Sequence, residues 1–224
     1  MRRPMRTLGT FLALAGALTL VWALLVWQWQ DPFTALYTQW KQRQLTSQYD
    51  KLNRSFPRAI SNESPSAERR SIALAAKRYR LSATRGQAIG RLRIPRMGVN
   101  MIFVNGTDHD TLKKGPGRDG RTFMPGENRL VYIAGHRTTY LAPLRRVDDL
   151  RRGDQVVLTM PYGRFTYLVE RTQIVEPTAL WVTRDVGYQR LVLSACHPLY
   201  SAAQRIIAFA RLEGVEARGA AVGR

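Results

Sequence analysis

One thiol, one imidazole and one guanidinium, each at the end of an apolar run, are the groups here best suited to joint chemistry. Cys196 is the single cysteine among 224 residues, and it closes the run LVLSAC (191–196). Residues 197–204 separate it from a second apolar run, RIIAFARL, which begins at Arg205. Two antiparallel strands joined by that loop would set Cys196 and Arg205 side by side at one rim. A cation near a thiol favours the nucleophilic thiolate, and a guanidinium beside a nucleophile can stabilise an oxyanion formed in acyl transfer.

A thiol nucleophile also needs a proton-transfer partner, and the chain has three histidines. His197 adjoins Cys196, but on an extended backbone its side chain points to the opposite face. His109 lies in the polar loop GTDHDT and reads as a solvated turn residue. His136 follows the apolar run VYIAG and emerges at a strand end. A histidine after a strand is by itself more often structural. The joint pattern of strand–Cys, strand–His and strand–Arg points instead to His136 as the partner of Cys196.

The elements that must position these groups are short strands. IGRLRIP and VNMIFV flank a turn at 95–98, and RLVYIAG (129–135), DQVVLTM (154–160), GRFTYLVERTQIV (163–175), RLVLSAC (190–196) and RIIAFARL (205–212) follow. Residues 161–163 read as a hairpin turn. Frequent turn signals and little helix predict an all-β barrel or sandwich, with single helical turns in HDTLKKG and APLRRVDDLRRGD.

Upstream the composition changes. Residues 8–27 are uncharged and apolar, preceded by Arg2, Arg3 and Arg6 and followed by Asp31. Twenty residues at about 1.5 Å each cross a bilayer core. The basic flank places the N-terminus in the cytoplasm and the rest outside. Trp22, Trp27 and Trp29 stand at the far end, as an aromatic belt would. A cleaved signal peptide would carry a shorter apolar core and a small-x-small site. The run ends instead in VWQWQ, which favours an uncleaved anchor. A single cysteine outside the cytoplasm forms no internal disulfide, so it is accidental, intermolecular or functional.

The expected organisation is a basic cytoplasmic segment (1–7), a transmembrane signal anchor (8–29), a partly helical extracytoplasmic connector (30–86), a catalytic β-barrel (87–213) and a disordered tail (214–224). The connector reads as a spacer or as packing on the outside of the domain. The formal net charge of +19 draws the protein toward polyanions such as anionic headgroups or wall polymers. Nucleic acid is not expected, because no zinc spacing, helix-turn-helix pattern or RNP-type motif is present. No metal-ligand cluster is visible, so no cofactor is expected.

The segments YIAGHRTTY and LSACHP, and the arginine of AAQR, resemble those of sortases, the membrane-anchored transpeptidases of Gram-positive bacteria. LKKGPG and MPGENRLVYIAGHRTTY resemble in particular the class E sortases of actinobacteria. The likeness covers residues 88–212. It implies an eight-stranded sortase β-barrel. It implies Cys196 as the nucleophile attacking the Thr–Gly carbonyl of an LAxTG- or LPxTG-like sorting signal on secreted proteins. It further implies His136 as general acid and then base, Arg205 as the group holding the substrate and oxyanion, and an amine of a peptidoglycan precursor as acceptor. Tyr140, Thr138, Ser194, Ala195 and His197 are the expected substrate-binding residues beside them. Two positions depart from the pattern: Ala195 stands where many relatives have Thr, and Arg118 where many have His after GPG. Two alternatives remain: a pilus-polymerising sortase, and a non-catalytic basic membrane-tethered domain that binds the cell wall.

Overall fold

The computed structural model describes residues 2–28, 32–56 and 64–218. Eight strands close into a barrel in the order β1-β2-β3-β4-β7-β8-β6-β5. They are β1 Ala88–Ile94, β2 Val99–Asn105, β3 Gly117–Arg118, β4 Val131–Ala134, β5 Gln155–Met160, β6 Gly163–Val175, β7 Arg190–His197 and β8 Gln204–Ala217. Seven of them fall on the apolar runs of the sequence. β3 does not, since two residues carry no readable periodicity. It pairs in parallel with β2 and antiparallel with β4, and so bridges two strands that would otherwise be edges.

The turns follow local chemistry. Pro95–Met97 form one 3-10 turn, and Gly98 leaves it at φ 69°, a conformation glycine adopts without strain. Met160 pairs with Gly163, which makes residues 161–162 the hairpin turn between β5 and β6. His109–Leu112 form a single helical turn, α4, capped by the Asp108 side chain on the Thr111 N–H. β8 runs to Ala217, whose side chain is buried, so the expected disordered tail does not begin at 214. Pairing with β6 as far as Gly163↔Ala217 satisfies that backbone. Residues 219–224 lie outside the described residues.

Three longer helices precede the barrel: α1 Arg2–Gln28, α2 Pro32–Ser55 and α3 Pro65–Ser82. α1 contains an apolar window, Thr7–Leu24, of mean hydropathy 1.8 with none of it buried. Trp22 lies within that window, and its ring is 5.6 Å from that of Phe33 on α2. Trp29 of the expected aromatic belt lies outside the described residues.

The two connector helices pack onto the barrel. On α3, Ile72, Ala76 and Tyr79 recur at helical spacing and join the interior core. Ser64 caps its N-terminus, Pro65 opens it, and the Tyr79 hydroxyl donates to the Ile89 carbonyl at 3.1 Å. On α2, Leu45 and Tyr49 form a separate cluster with Ala88, Ile102 and Val104 on the outside of the barrel. Gln42 does the polar part: its Nε2 donates to the carbonyls of Ile102 and Lys114 at 2.8 Å each, and its Oε1 accepts from the Ile102 N–H at 2.8 Å. Gly115, at φ 153°, makes this approach possible, because a Cβ there would meet Gln42 Nε2 at 2.5 Å.

Strand alternation sorts residues into two layers. Val131 and Ile133 of β4, Leu191, Leu193 and Ala195 of β7, and Ile206, Ala208 and Ala210 of β8 face the interior core. Leu130, Val192, Ile207 and Phe209 form a second cluster on the outer face, joined by Val182 from the β6–β7 connection. Trp181 from the same connection stacks on Phe209 at 5.9 Å. Arg118 is buried in the barrel, where its guanidinium donates to Asn105 Oδ1 and to the Thr122 carbonyl. Desolvation pulls its pKa down to about 10.

Candidate active site

The outer layer of β4, β7 and β8 ends in the three residues singled out from the sequence. Cys196 pairs with Arg205 across the antiparallel β7–β8 ladder. Ala134 pairs with Ser194 across the parallel β4–β7 ladder, and the Gly135 N–H donates to the Ser194 carbonyl at 3.1 Å. Two residues further along each chain stand His136 and Cys196. Both have the parity of the outward residues of their strands, as Arg205 has on β8. Imidazole, thiol and guanidinium thus occupy one face at consecutive strand positions. Gly135 is needed at the turn into the histidine, because a Cβ would press Leu144 at 3.0 Å.

The surroundings fit a reactive centre. Nε2 of His136 is buried and has no hydrogen-bond partner among the described residues. Burial holds its pKa below the ordinary histidine value, and the nearby His109 adds to the shift. The Tyr140 ring lies 5.1 Å from the imidazole. Cys196 is half-buried and unpaired. Arg205 Nη1 donates to the carbonyls of Ala202 and Gln204, each at 2.9 Å, which ties the guanidinium to the β7–β8 loop. No group of three or more His, Cys, Asp or Glu able to hold a metal occurs among the described residues.

The opposite face of the same strand ends carries a staple that sequence reasoning missed. Arg137 and His197, the immediate neighbours of His136 and Cys196, meet there: Arg137 Nη1 lies 3.2 Å from His197 Nδ1. Arginine only donates, so this His197 nitrogen accepts and the ring carries its proton on Nε2. Arg137 also pairs with Asp148 at 2.8 Å and donates to the Arg145 carbonyl at 3.2 Å, with its side chain 2% exposed. The only sequence signal for this was adjacency within GHR and CHP. Asp148 belongs to the 3-10 turn Val147–Asp149, with no spacing to mark it.

Of the expected substrate-binding residues, Tyr140 and Thr138 lie on the loop after β4, and both are half-buried. Ser194 is buried beneath Cys196, hydrogen-bonded to Tyr132 on the adjacent strand. Ala195 faces the interior core, so its side chain does not line the outer face. His197 is engaged by Arg137 rather than directed to the side of Cys196. Of these three, Ser194 keeps the outward parity of Cys196 but is buried, Ala195 faces the core and half-buried His197 is engaged by Arg137.

The loop after His136 is strained. Tyr140, Leu141 and Ala142 have φ of 53°, 61° and 38°, three successive non-glycine residues in the left-handed region. Such residues cost about 1–2 kcal/mol each. They persist only where surrounding structure imposes them, and they cluster at functional sites.

A half-buried thiol, a buried imidazole nitrogen and a loop-tied guanidinium stand at neighbouring strand ends on one face of the closed barrel, an arrangement able to support acyl transfer through a thiol. Comparison with known proteins makes the class specific. Residues 92–213 match the sortase domain, and the chain belongs to the sortase family, whose members are cysteine transpeptidases. Sortase D of Bacillus subtilis (strain 168) is 38% identical over 115 residues, a match covering 50% of this chain and 56% of that relative. Sortase E from Streptomyces avermitilis superposes with a TM-score of 0.55 at 32% identity, over 60% of this chain and 93% of that one. A Clostridium perfringens sortase D5 transpeptidase shares the fold, with a TM-score of 0.61 at 22% identity over 78% of this chain and 99% of that one.

Proposed function

We propose that this chain is a membrane-anchored sortase that cleaves an LAxTG- or LPxTG-like signal between Thr and Gly and passes the acyl group to a peptidoglycan-precursor amine. The observation that carries this reading is the shared outward face of His136, Cys196 and Arg205 on three adjacent strands. The Cys196 thiolate attacks the Thr carbonyl carbon, and the carbonyl oxygen becomes an oxyanion held by the Arg205 guanidinium. The C–N bond then breaks, and protonated His136 gives its proton to the departing glycine amine. The thioester persists until an acceptor amine enters. Neutral His136 takes a proton from that amine as it attacks, and Cys196 leaves as thiolate. One amide bond is broken and one is made, with no net redox change.

Burial of His136 works against the imidazolium that must protonate the leaving amine. The orientation of groups already in place offsets that cost. The apolar window of α1, with Arg2, Arg3 and Arg6 ahead of it, supports a single-pass anchor with the N-terminus in the cytoplasm and the barrel outside. Chromatography of the full chain incubated with LAxTG and LPxTG peptides plus triglycine tests the reaction. The expected result is a peptide–triglycine product that Cys196→Ala does not form. Equal yields from the two proteins would refute the assignment.

A further inference from the structure

We propose that the first turns of α2 position the catalytic imidazole: Thr34 and Tyr37 hold the loop after β4 in the form that keeps the Tyr140 ring against His136. The inference rests on the reading of His136 as the acid–base group. Thr34 Oγ1 accepts the Tyr140 N–H at 3.1 Å. The Tyr37 ring meets the Tyr140 ring edge-on at 6.4 Å, and Tyr140 in turn lies 5.1 Å from the imidazole. These contacts fall at the first of the three successive left-handed residues. The loop's own support includes the Ala142 N–H on the Thr139 carbonyl at 2.8 Å and the Leu144 N–H on the His136 carbonyl at 3.1 Å. Neither of these bonds fixes the Tyr140 peptide, which α2 supplies with its acceptor.

α2 can serve as a fixed support because its next turns are fastened to the barrel. The Thr38 hydroxyl donates to the Lys113 carbonyl at 2.8 Å, and Gln42 fills the hydrogen bonds of Ile102 described above. The family match begins at residue 92, so this support comes from outside it. The Tyr140 ring, 5.1 Å from the imidazole, is part of the packing around that half-buried ring. The titratable or charged groups nearest the ring are Tyr140 on its own loop, His109 at α4, and Cys196 and Arg205 on the adjoining strands, with Tyr37 and Lys113 beyond Tyr140. Freeing the loop lets water reach the imidazole and moves its pKa up toward the ordinary value.

The test uses the full chain in detergent, with Thr34→Val and Tyr37→Ala as disrupting variants. Thr34→Ser and Tyr37→Phe are the conservative ones, and Leu36→Ala, on the same helix with its side chain exposed, is the control. Peptide-transfer kinetics, thermal unfolding and an NMR titration of His136 are read for each. The expected result is a kcat lower by about 5- to 20-fold in the disrupting variants, with KM changed less than about twofold. Their His136 titration moves upward, the melting temperature barely changes, and both conservative variants recover the wild-type values. Unchanged kcat and titration in the disrupting variants overturn the proposal. So does equal loss in the conservative variants with a matching fall in melting temperature, since that is a structural role alone. If the wild-type chain transfers no peptide, the transpeptidase reading fails instead, and the His136 titration by itself decides this inference.

Discussion

At the scale of single residues, each of the three groups makes a separable demand. Arg205 is tied to its loop by Nη1 and pairs with Cys196 across the ladder, and its proposed work is electrostatic. Arg205→Ala should lower kcat/KM by about 10²- to 10³-fold, as loss of one oxyanion donor does elsewhere. Arg205→Lys should recover only part, because an ammonium lacks the fixed fork. Steady-state kinetics on the peptide-transfer reaction checks both. His136 should titrate below pH 6.5 in the folded protein, because burial opposes its charge. Between that lowered value and 6.5 the unfolded chain holds more protons than the folded one, so stability should rise with pH through this window and level off above it. His136→Gln should remove that part of the pH dependence of denaturant unfolding.

At the scale of elements, β4 and β7 are held in register on both faces. One face carries His136 and Cys196, the proposed reacting pair, and the other the Arg137–His197 staple. Arg137→Gln leaves Asp148, His197 and the Arg145 carbonyl short of a donor, and should cost about 1–3 kcal/mol in denaturant unfolding. Asp148→Asn should cost less, since that carboxylate is half exposed and screened. The antiparallel β7–β8 pair was legible because one loop joins two apolar runs, and that alone placed Cys196 beside Arg205. The parallel β4–β7 pairing was not, since no local signal tells which distant strand a strand will neighbour. His136 was singled out by its place after an apolar strand, jointly with Cys196 and Arg205, and the family likeness then added to that case. The staple was hidden for a related reason: Arg137 and Asp148 meet only because the segment between them folds back. The packing of α2 was also obscure, because the face it buries mixes Thr38 and Gln42 with Leu45 and Tyr49 and shows no clean apolar stripe.

At the scale of the whole molecule, an apolar N-terminal helix, two helices packed on a barrel and a rim site form one chain of contacts. Three residues separate the end of α1 at Gln28 from Pro32, which opens α2, and α2 reaches the loop beside His136. With α1 as the proposed anchor, a centre linked to it through α2 would meet lipid-linked amines at high local concentration. Protein isolated from membranes should keep residues 1–28 and stay in the pellet at alkaline pH. An intact mass lacking that segment would mark it instead as a removed signal. All of this depends on Cys196 being the acylated nucleophile. The most direct measurement is intact-mass and peptide-mapping spectrometry of the full chain after brief exposure to an LAxTG peptide without amine. The account predicts one thioester adduct, located on Cys196, discharged by triglycine and absent in Cys196→Ala. An adduct at another residue, or transfer product formed by Cys196→Ala, would contradict it.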